Sequence, residues 1–297
     1  MRRNKKYEPS ADASKILAIL LLCLSPACIN EDYSDCPPNK GEIRISTYWL
    51  PRSEEAKIPG SYIFHSDEYR QTGLVPEEEP IILSHAFPAD SYHIYLYNEA
   101  SEIRVSRDTA YANTANGRVA PMPGWFFAYS TSLRVIADSI IELHAQMRQE
   151  VRLLTLELTA MGEAAQRIKS LDATLSGVAS ELYMNDGSVG KPADVSFHLA
   201  SFPDNIWQAS VRLLGLCEET QWLKLTAGIQ TAEGKSDMLT GDAIDVSSLL
   251  SNFNMDKHYP MTLRGKIYLK TEPGEPVLMS MEIRDWDVVY GTSFIAD

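Results

Sequence analysis

Period-two alternation, interrupted every few residues by proline and glycine, is the feature that most restricts what this 297-residue chain can fold into. In "GEIRISTYW", Ile43 and Ile45 alternate with Glu42 and Arg44, as in a strand buried on one face. "SYIFHS", "PIILSH" and "DSYHIYLYNE" follow between turn signals. In the last of these, Tyr92, Ile94 and Leu96 share one face and His93, Tyr95 and Tyr97 the other. Both faces are largely apolar or aromatic, which predicts a central strand of a sandwich. "NTANGRVAPMPG", residues 113 to 124, reads as a loop. Further on, "VSFHLASF", "WQASVRLLGL", "WLKLTAGIQT" and "MTLRGKIYLKT" resume the strand texture. "MLTGDAIDVSSLLSNFN" reads as a loop entering one helical turn, with Asp245 as its N-cap. Strands of this length and spacing predict an all-β sandwich architecture.

One stretch resists that reading. Residues 138 to 168, "DSIIELHAQMRQEVRLLTLELTAMGEAAQRI", are rich in the strong helix formers Ala, Leu, Glu, Gln and Met, and propensity alone favours a helix. Yet Ile141, Leu143, Ala145 and Met147 alternate, Val151 and Leu153 extend the same parity, and the alternation slips once near Leu154, where a bulge would absorb it. The residues by themselves leave both conformations open.

The chain begins with Arg2, Arg3, Lys5, Lys6 and Lys15, then an apolar run from Ile16 to Leu24, then Ser25, Pro26 and Ala27 ahead of Cys28. A basic segment, a short apolar one and small residues make a secretory signal, too short to cross a bilayer as a helix, which takes roughly 20 residues. The cysteine sharpens this to a bacterial lipoprotein signal: cleavage after Ala27 and acylation of Cys28. Ser25 departs from the leucine usual three residues before the cut, and the alternative is an ordinary cleaved signal that leaves Cys28 free. Acyl chains, palmitate among them, contribute about 0.8 kcal/mol per buried CH₂ and hold a protein on a membrane without a spanning helix. Asn30, Glu31, Asp32, Asp35 and the Pro37–Pro38 pair read as an extended tether. The expected organisation is a signal peptide at 1–27, a lipidated tether at 28–40, and two sandwiches at 41–137 and 138–297.

The formal charge is −13, and the leader carries five basic and two acidic residues, so the processed chain is more acidic still, at −16. Such a surface repels phosphate backbones and argues against nucleic-acid binding. Cys36 and Cys217 remain after processing; one disulfide or two isolated thiols are open, and their places, in a tether and in the apolar "RLLGLCEE", favour isolated thiols. No nucleophile elbow, H-E-x-x-H, C-x-x-C or phosphate-cradling glycine loop is present. The six histidines are dispersed, and Asp186, Asp194, Asp237, Asp242 and Asp245 lack the spacing of a calcium loop, so they read as turn residues. No catalytic, metal or cofactor residue is expected. The five tryptophans, at 49, 125, 207, 222 and 286, sit mostly in apolar strand contexts and are expected in cores. In "VLMSMEIRDWDVVY", Trp286 shares parity with Leu278 and Glu282 rather than with Met281 and Ile283, which places it at a sandwich edge.

Three stretches taken in order resemble the fimbrillin and fimbrial-anchor lipoprotein superfamily of Bacteroidetes-type bacteria. They are "CINEDYSDCPP" at 28–38, "ADSYHIYLYNEA" at 89–100, and "MRQEVRLLTLEL" with "IKSLDATLSGVAS" at 147–180, followed by "MEIRDWDVVYG" at 281–291. The acidic residues after Cys28 also resemble a surface-export signal of such lipoproteins. The resemblance implies two tandem transthyretin-like β-sandwiches, with "RQEVRLLTLEL" as the first strand of the second; that settles the ambiguous stretch as strand. It also implies a non-enzymatic, outer-membrane, surface-exposed protein that meets fimbrial subunits by β-strand addition through its C-terminal strands. On this reading residues 277 to 289 belong to the second sheet and the last residues are loosely held. The alternative function is a glycan- or nutrient-binding surface lipoprotein, which exposed aromatic side chains would mark.

Overall fold

The computed structural model describes residues 39–230, 234–271, 279–291 and 293–294. The leader, Cys28, Cys36 and the tether as far as Pro38 lie outside the described residues. The regular structure described is nearly all strand, with Glu163–Arg167 as a short helix and single 3-10 turns at Pro76–Glu78 and Pro203–Asn205. The ambiguous stretch is strand as well: Ile140–Gln146, Arg148–Gln149 and Arg152–Ala160.

The first sandwich faces two sheets across one core. In one sheet Lys40–Tyr48 pairs in parallel with Ile140–Gln146 and antiparallel with Ile81–Ile82. The other runs Arg148–Gln149, Phe127–Arg134, Ser91–Tyr97, Tyr62–Ser66, Arg70–Leu74 in spatial order. Alternation sends Ile43, Ile45, Leu143 and Ala145 inward to meet Phe64, Ile94, Leu96 and Phe127. Trp49 closes one end, edge-on to Phe127 with ring centroids 5.5 Å apart.

The second sandwich is one long sheet folded on itself, in the order Ser236–Thr240, Trp222–Gln230, Ile168–Tyr183, Val189–Phe202, Ile206–Leu213, Arg152–Ala160, Met261–Thr271, Met279–Tyr290. The fold occurs along Val189–Phe202, whose earlier residues pair with Ile168–Tyr183 and whose last three pair with Ile206–Gln208. Between the halves lie Leu154, Leu156, Leu158, Leu171, Leu175, Leu199, Leu225 and Ile267. Arg152–Ala160 pairs in parallel with Met261–Thr271, so each sandwich holds its first strand beside a late one in parallel.

Two features depart from a division at residue 137. Ile140–Gln146 belongs to the first sandwich, and the chain passes between cores at Met147–Arg152. The slip of parity near Leu154 is this crossing rather than a bulge: Leu143, Ala145 and Met147 point into one core, and Leu154, Leu156 and Leu158 into the other. In addition, Ile103–Ser106 and Thr109–Ala112 form a hairpin on the edge of Ile168–Tyr183, and Arg118–Val119 adds beside Asp194, so part of the expected loop at 113–124 is short strand. The reason is the second face of Ser91–Tyr97. Tyr95 and Tyr97 are buried there with Ile63, Phe126 and Ala128 against Leu182, Met184 and Leu214 of the second sandwich. This third apolar core couples the two sandwiches.

Leu182 is fully buried in that shared core. We expect Leu182→Ala to cost about 2–4 kcal/mol, and denaturant unfolding followed by tryptophan fluorescence and by far-UV dichroism to stay one coincident transition. Two resolved transitions in the parent chain would show the sandwiches to be independent.

Candidate functional site

The crossing between the sandwiches is also where the chain's end returns. Met147 N–H donates to Tyr48 O (2.7 Å) and Glu150 N–H to Phe126 O (2.8 Å), which tie the crossing to the first sandwich. Gln149 is buried. Its Nε2 donates to Ser53 Oγ (2.8 Å), Val151 O (2.8 Å) and Lys257 O (2.9 Å), and its Oε1 accepts from Ser53 N–H (2.8 Å). Ser53 Oγ in turn donates to His258 O (2.9 Å). One amide thus fastens three segments, and each polar atom buried with it is satisfied.

Arg152 does the same from the other side. It is 1 % exposed, and its guanidinium donates to four backbone carbonyls: Nε to Tyr259 O, and Nη1 to those of Asn252, Phe253 and Met255, at 2.7–2.9 Å. Phe253 and Tyr290 lie at 5.3 and 5.7 Å from the guanidinium carbon. Burial draws its pKa below the ordinary arginine value, while Tyr290 and Asp256 pull it back up. The carbonyls belong to the turn that starts at Asp245, whose carboxylate accepts from the Ser247 N–H (2.9 Å), as a cap should. Beside Gln149, a cavity of about 310 Å³ is lined by Arg148, Glu150, Asp186, Asp256 and Lys257. Its buried charges are paired, Lys257 Nζ to Glu150 Oε2 at 3.1 Å, and the exposed Arg148 reaches Glu150 Oε1 through Nε at 3.3 Å.

The last strand passes directly over this region. Tyr290 closes Met279–Tyr290, Gly291 N–H donates to Pro260 O (2.7 Å), and Ser293–Phe294 then pairs with Arg52–Ser53 of the first sandwich. The expected loose end is therefore held at these two residues, on the same Ser53 that Gln149 binds.

The remaining sequence expectations divide. Cys28, the expected lipidation site, and Cys36 lie outside the described residues. Cys217 is a half-buried free thiol whose pKa burial pushes up. Asp186 accepts from Ser188 in a turn. Among the described residues no group of three or more His, Cys, Asp or Glu side chains is placed to hold a metal ion. Trp49 and Trp207 are buried, but Trp222 is 46 % exposed, contrary to the core expected for it. Trp286 is half-buried and turned inward, because the ladder shifts register between Arg264 and Lys266, where Asp285 takes a φ of +55°. That bulge reverses the parity on which an edge position was expected. Sequence reasoning missed Ser53, Gln149 and Arg152; the one available signal was an arginine opening the apolar run "VRLLTLEL".

No family model matches the chain, and no curated protein does. Solved structures do. The fimbrial anchor protein Mfa2 of Porphyromonas gingivalis superposes with a TM-score of 0.54 at 10 % identity, over 86 % of this chain and 100 % of that one. The two chains share a fold. A candidate adhesin of Bacteroides ovatus gives 0.54 at 14 % identity, covering 75 % of this chain and 87 % of its own. A second candidate adhesin of that organism gives 0.53 at 10 %, covering 88 % and 97 %. At such identities the likeness is one of fold.

Replacing Arg152 by Met should leave four carbonyls without a donor. We expect a loss of about 3 kcal/mol, read as a melting temperature lower by roughly 6–12 °C in a chain of this size. Arg284→Met, at the exposed Arg284–Glu282 pair, should leave the melting temperature unchanged.

Proposed function

We propose that this chain is a lipid-anchored protein of the outer-membrane surface, acting as a fimbrial anchor subunit or a fimbrillin-like adhesin. The observation that carries the reading is the fold shared with a fimbrial anchor over all of that protein's chain. The Ala27–Cys28 junction supports attachment through acyl chains on Cys28, and the acidic segment after it supports surface exposure. Two sandwiches on a tether give a structural and adhesive role with no catalytic demand. Strand addition to a neighbouring fimbrial subunit is the assembly mode that fits the C-terminal strands. Met279–Tyr290 is the last strand of its sheet, and among the described residues the tail beyond it is held by the Gly291 N–H bond to Pro260 O and a two-residue ladder, Ser293–Phe294 on Arg52–Ser53. So short a ladder exchanges readily for a longer one supplied by a partner.

Two measurements test this. Cys28→Ala should move the protein out of the membrane fraction, whereas Cys36→Ala should not; retention of the Cys28→Ala chain in membranes would remove the anchor. Deleting residues 292–297 should leave a folded, membrane-bound protein that no longer co-purifies with fimbrial subunits. If the truncated chain holds subunits as well as the full one, assembly does not run through the tail.

A further inference from the structure

Trp222 is the one exposed tryptophan among the described residues whose side chain also lines a cavity. Its strand sends Leu223, Leu225 and Ala227 into the second core and Trp222, Lys224 and Thr226 to the outer face. Trp222 stands at the rim of a cavity of about 340 Å³ that Pro192, Asp194, Glu219 and Thr220 also line. The concavity has a backbone cause. The ladder between Ile168–Tyr183 and Val189–Phe202 shifts register between Leu175 and Val178, and Gly177 there takes a φ of +71°. Ser176 Oγ accepts from Trp222 N–H at 2.9 Å and fixes the start of the strand beside the bulge.

The polar groups around the indole are unspent. The carboxylates of Asp194 and Glu219, the Thr220 hydroxyl, the Lys224 ammonium and the Trp222 Nε1–H make no hydrogen bond or ion pair within the described protein. From this depression the outer face continues as uncovered polar sheet: Lys224 opposite Thr174, Thr174 opposite Ser196, and Asp172 opposite His198.

We infer that this depression is a binding site for a neutral glycan, with one pyranose ring stacked on Trp222. An indole face is a flat apolar platform that matches the C–H face of a pyranose, and such sites fix their ligand with a few convergent polar groups. Each sugar hydroxyl both donates and accepts. Asp194 and Glu219 supply acceptors, and the Thr220 hydroxyl and the indole N–H supply donors, with Lys224 outside the lining but on the same face of the strand as Trp222. A cationic side chain from a partner would use only the acceptors and would meet Lys224 as a like charge. The net charge of −13 disfavours sulfated or sialylated chains. The biological use of the site rests on the adhesin branch of the function proposed above; its chemistry does not.

The test uses the full chain on an array of neutral oligosaccharides, followed by calorimetric titration of the strongest hit. We expect Trp222→Ala to weaken binding by about tenfold or more with an unchanged melting temperature, because the side chain is exposed. Asp194→Asn and Glu219→Gln should each weaken it, and Trp286→Ala, away from the depression, should lower stability while leaving affinity alone. Absence of binding to every oligosaccharide overturns the inference, as does wild-type affinity in Trp222→Ala. Binding of tetralysine that Trp222→Ala abolishes, without any sugar binding, would make this a site for cationic side chains instead. Fimbrial subunits retained by Trp222→Ala, measured in parallel, separate failure at this site from failure of the anchor reading.

Discussion

Between Met147 and Arg152 the chain leaves one apolar core and enters another, and its backbone and polar side chains must be satisfied where neither sheet is continuous. Gln149 and Arg152 meet that demand. The amide closes on Ser53, Val151 and Lys257, and the guanidinium on the carbonyls of residues 252 to 259. Both side chains bind backbone, so the positions they fix are those of the chain path itself, and neighbouring side chains are left free to vary. A buried charge without a carboxylate partner is tolerable here because four oriented carbonyl dipoles surround it and two aromatic rings cover it.

That anchorage explains why the two sandwiches share a third core instead of hanging from a linker. Once the crossing is fixed, the outer face of Ser91–Tyr97 lies against Leu182 and Met184, and Tyr95 and Tyr97 are buried between them. The Tyr95 hydroxyl still finds a partner, donating to Asn185 Oδ1 at 2.9 Å, and His93 Nε2 lies 2.9 Å from the same oxygen. The two sandwiches are thereby locked by apolar contact at the centre and polar contact at the rim. The same crossing gathers Ser53, the 252–259 turn and the C-terminal tail into one place.

Bulges decide which side chains the molecule shows and which it hides. At Asp285 one extra residue turns Trp286 inward onto Gly265, where a Cβ would come within 3.1 Å of the indole. At Gly177 another bulge opens the depression in front of Trp222. The two tryptophans look alike in sequence, each close to charged residues on a strand, and they end in opposite environments.

The sequence by itself determined the class of fold, because period-two burial is a local property that Ile43, Ile45, Tyr92, Ile94 and Leu96 display without reference to the rest of the chain. It determined as well that Ser91–Tyr97 is buried on both faces, since a strand apolar on both sides has nowhere else to be. Residues 140–160 were strand against their own propensity, and there the resemblance to known proteins carried more than the residues did. Only the tertiary structure decided where one core ends and the next begins, because Leu153 and Leu154 are equally apolar and only the position of the neighbouring sheets distinguishes them. Ser53, Gln149 and Arg152 became visible for the same reason: Gln149 reaches Ser53 and Lys257 across 96 and 108 residues, Ser53 reaches His258 across 205, and the partners of Arg152 lie 100 to 107 residues away. A hydrogen bond to a distant carbonyl leaves no local pattern in the chain that makes it.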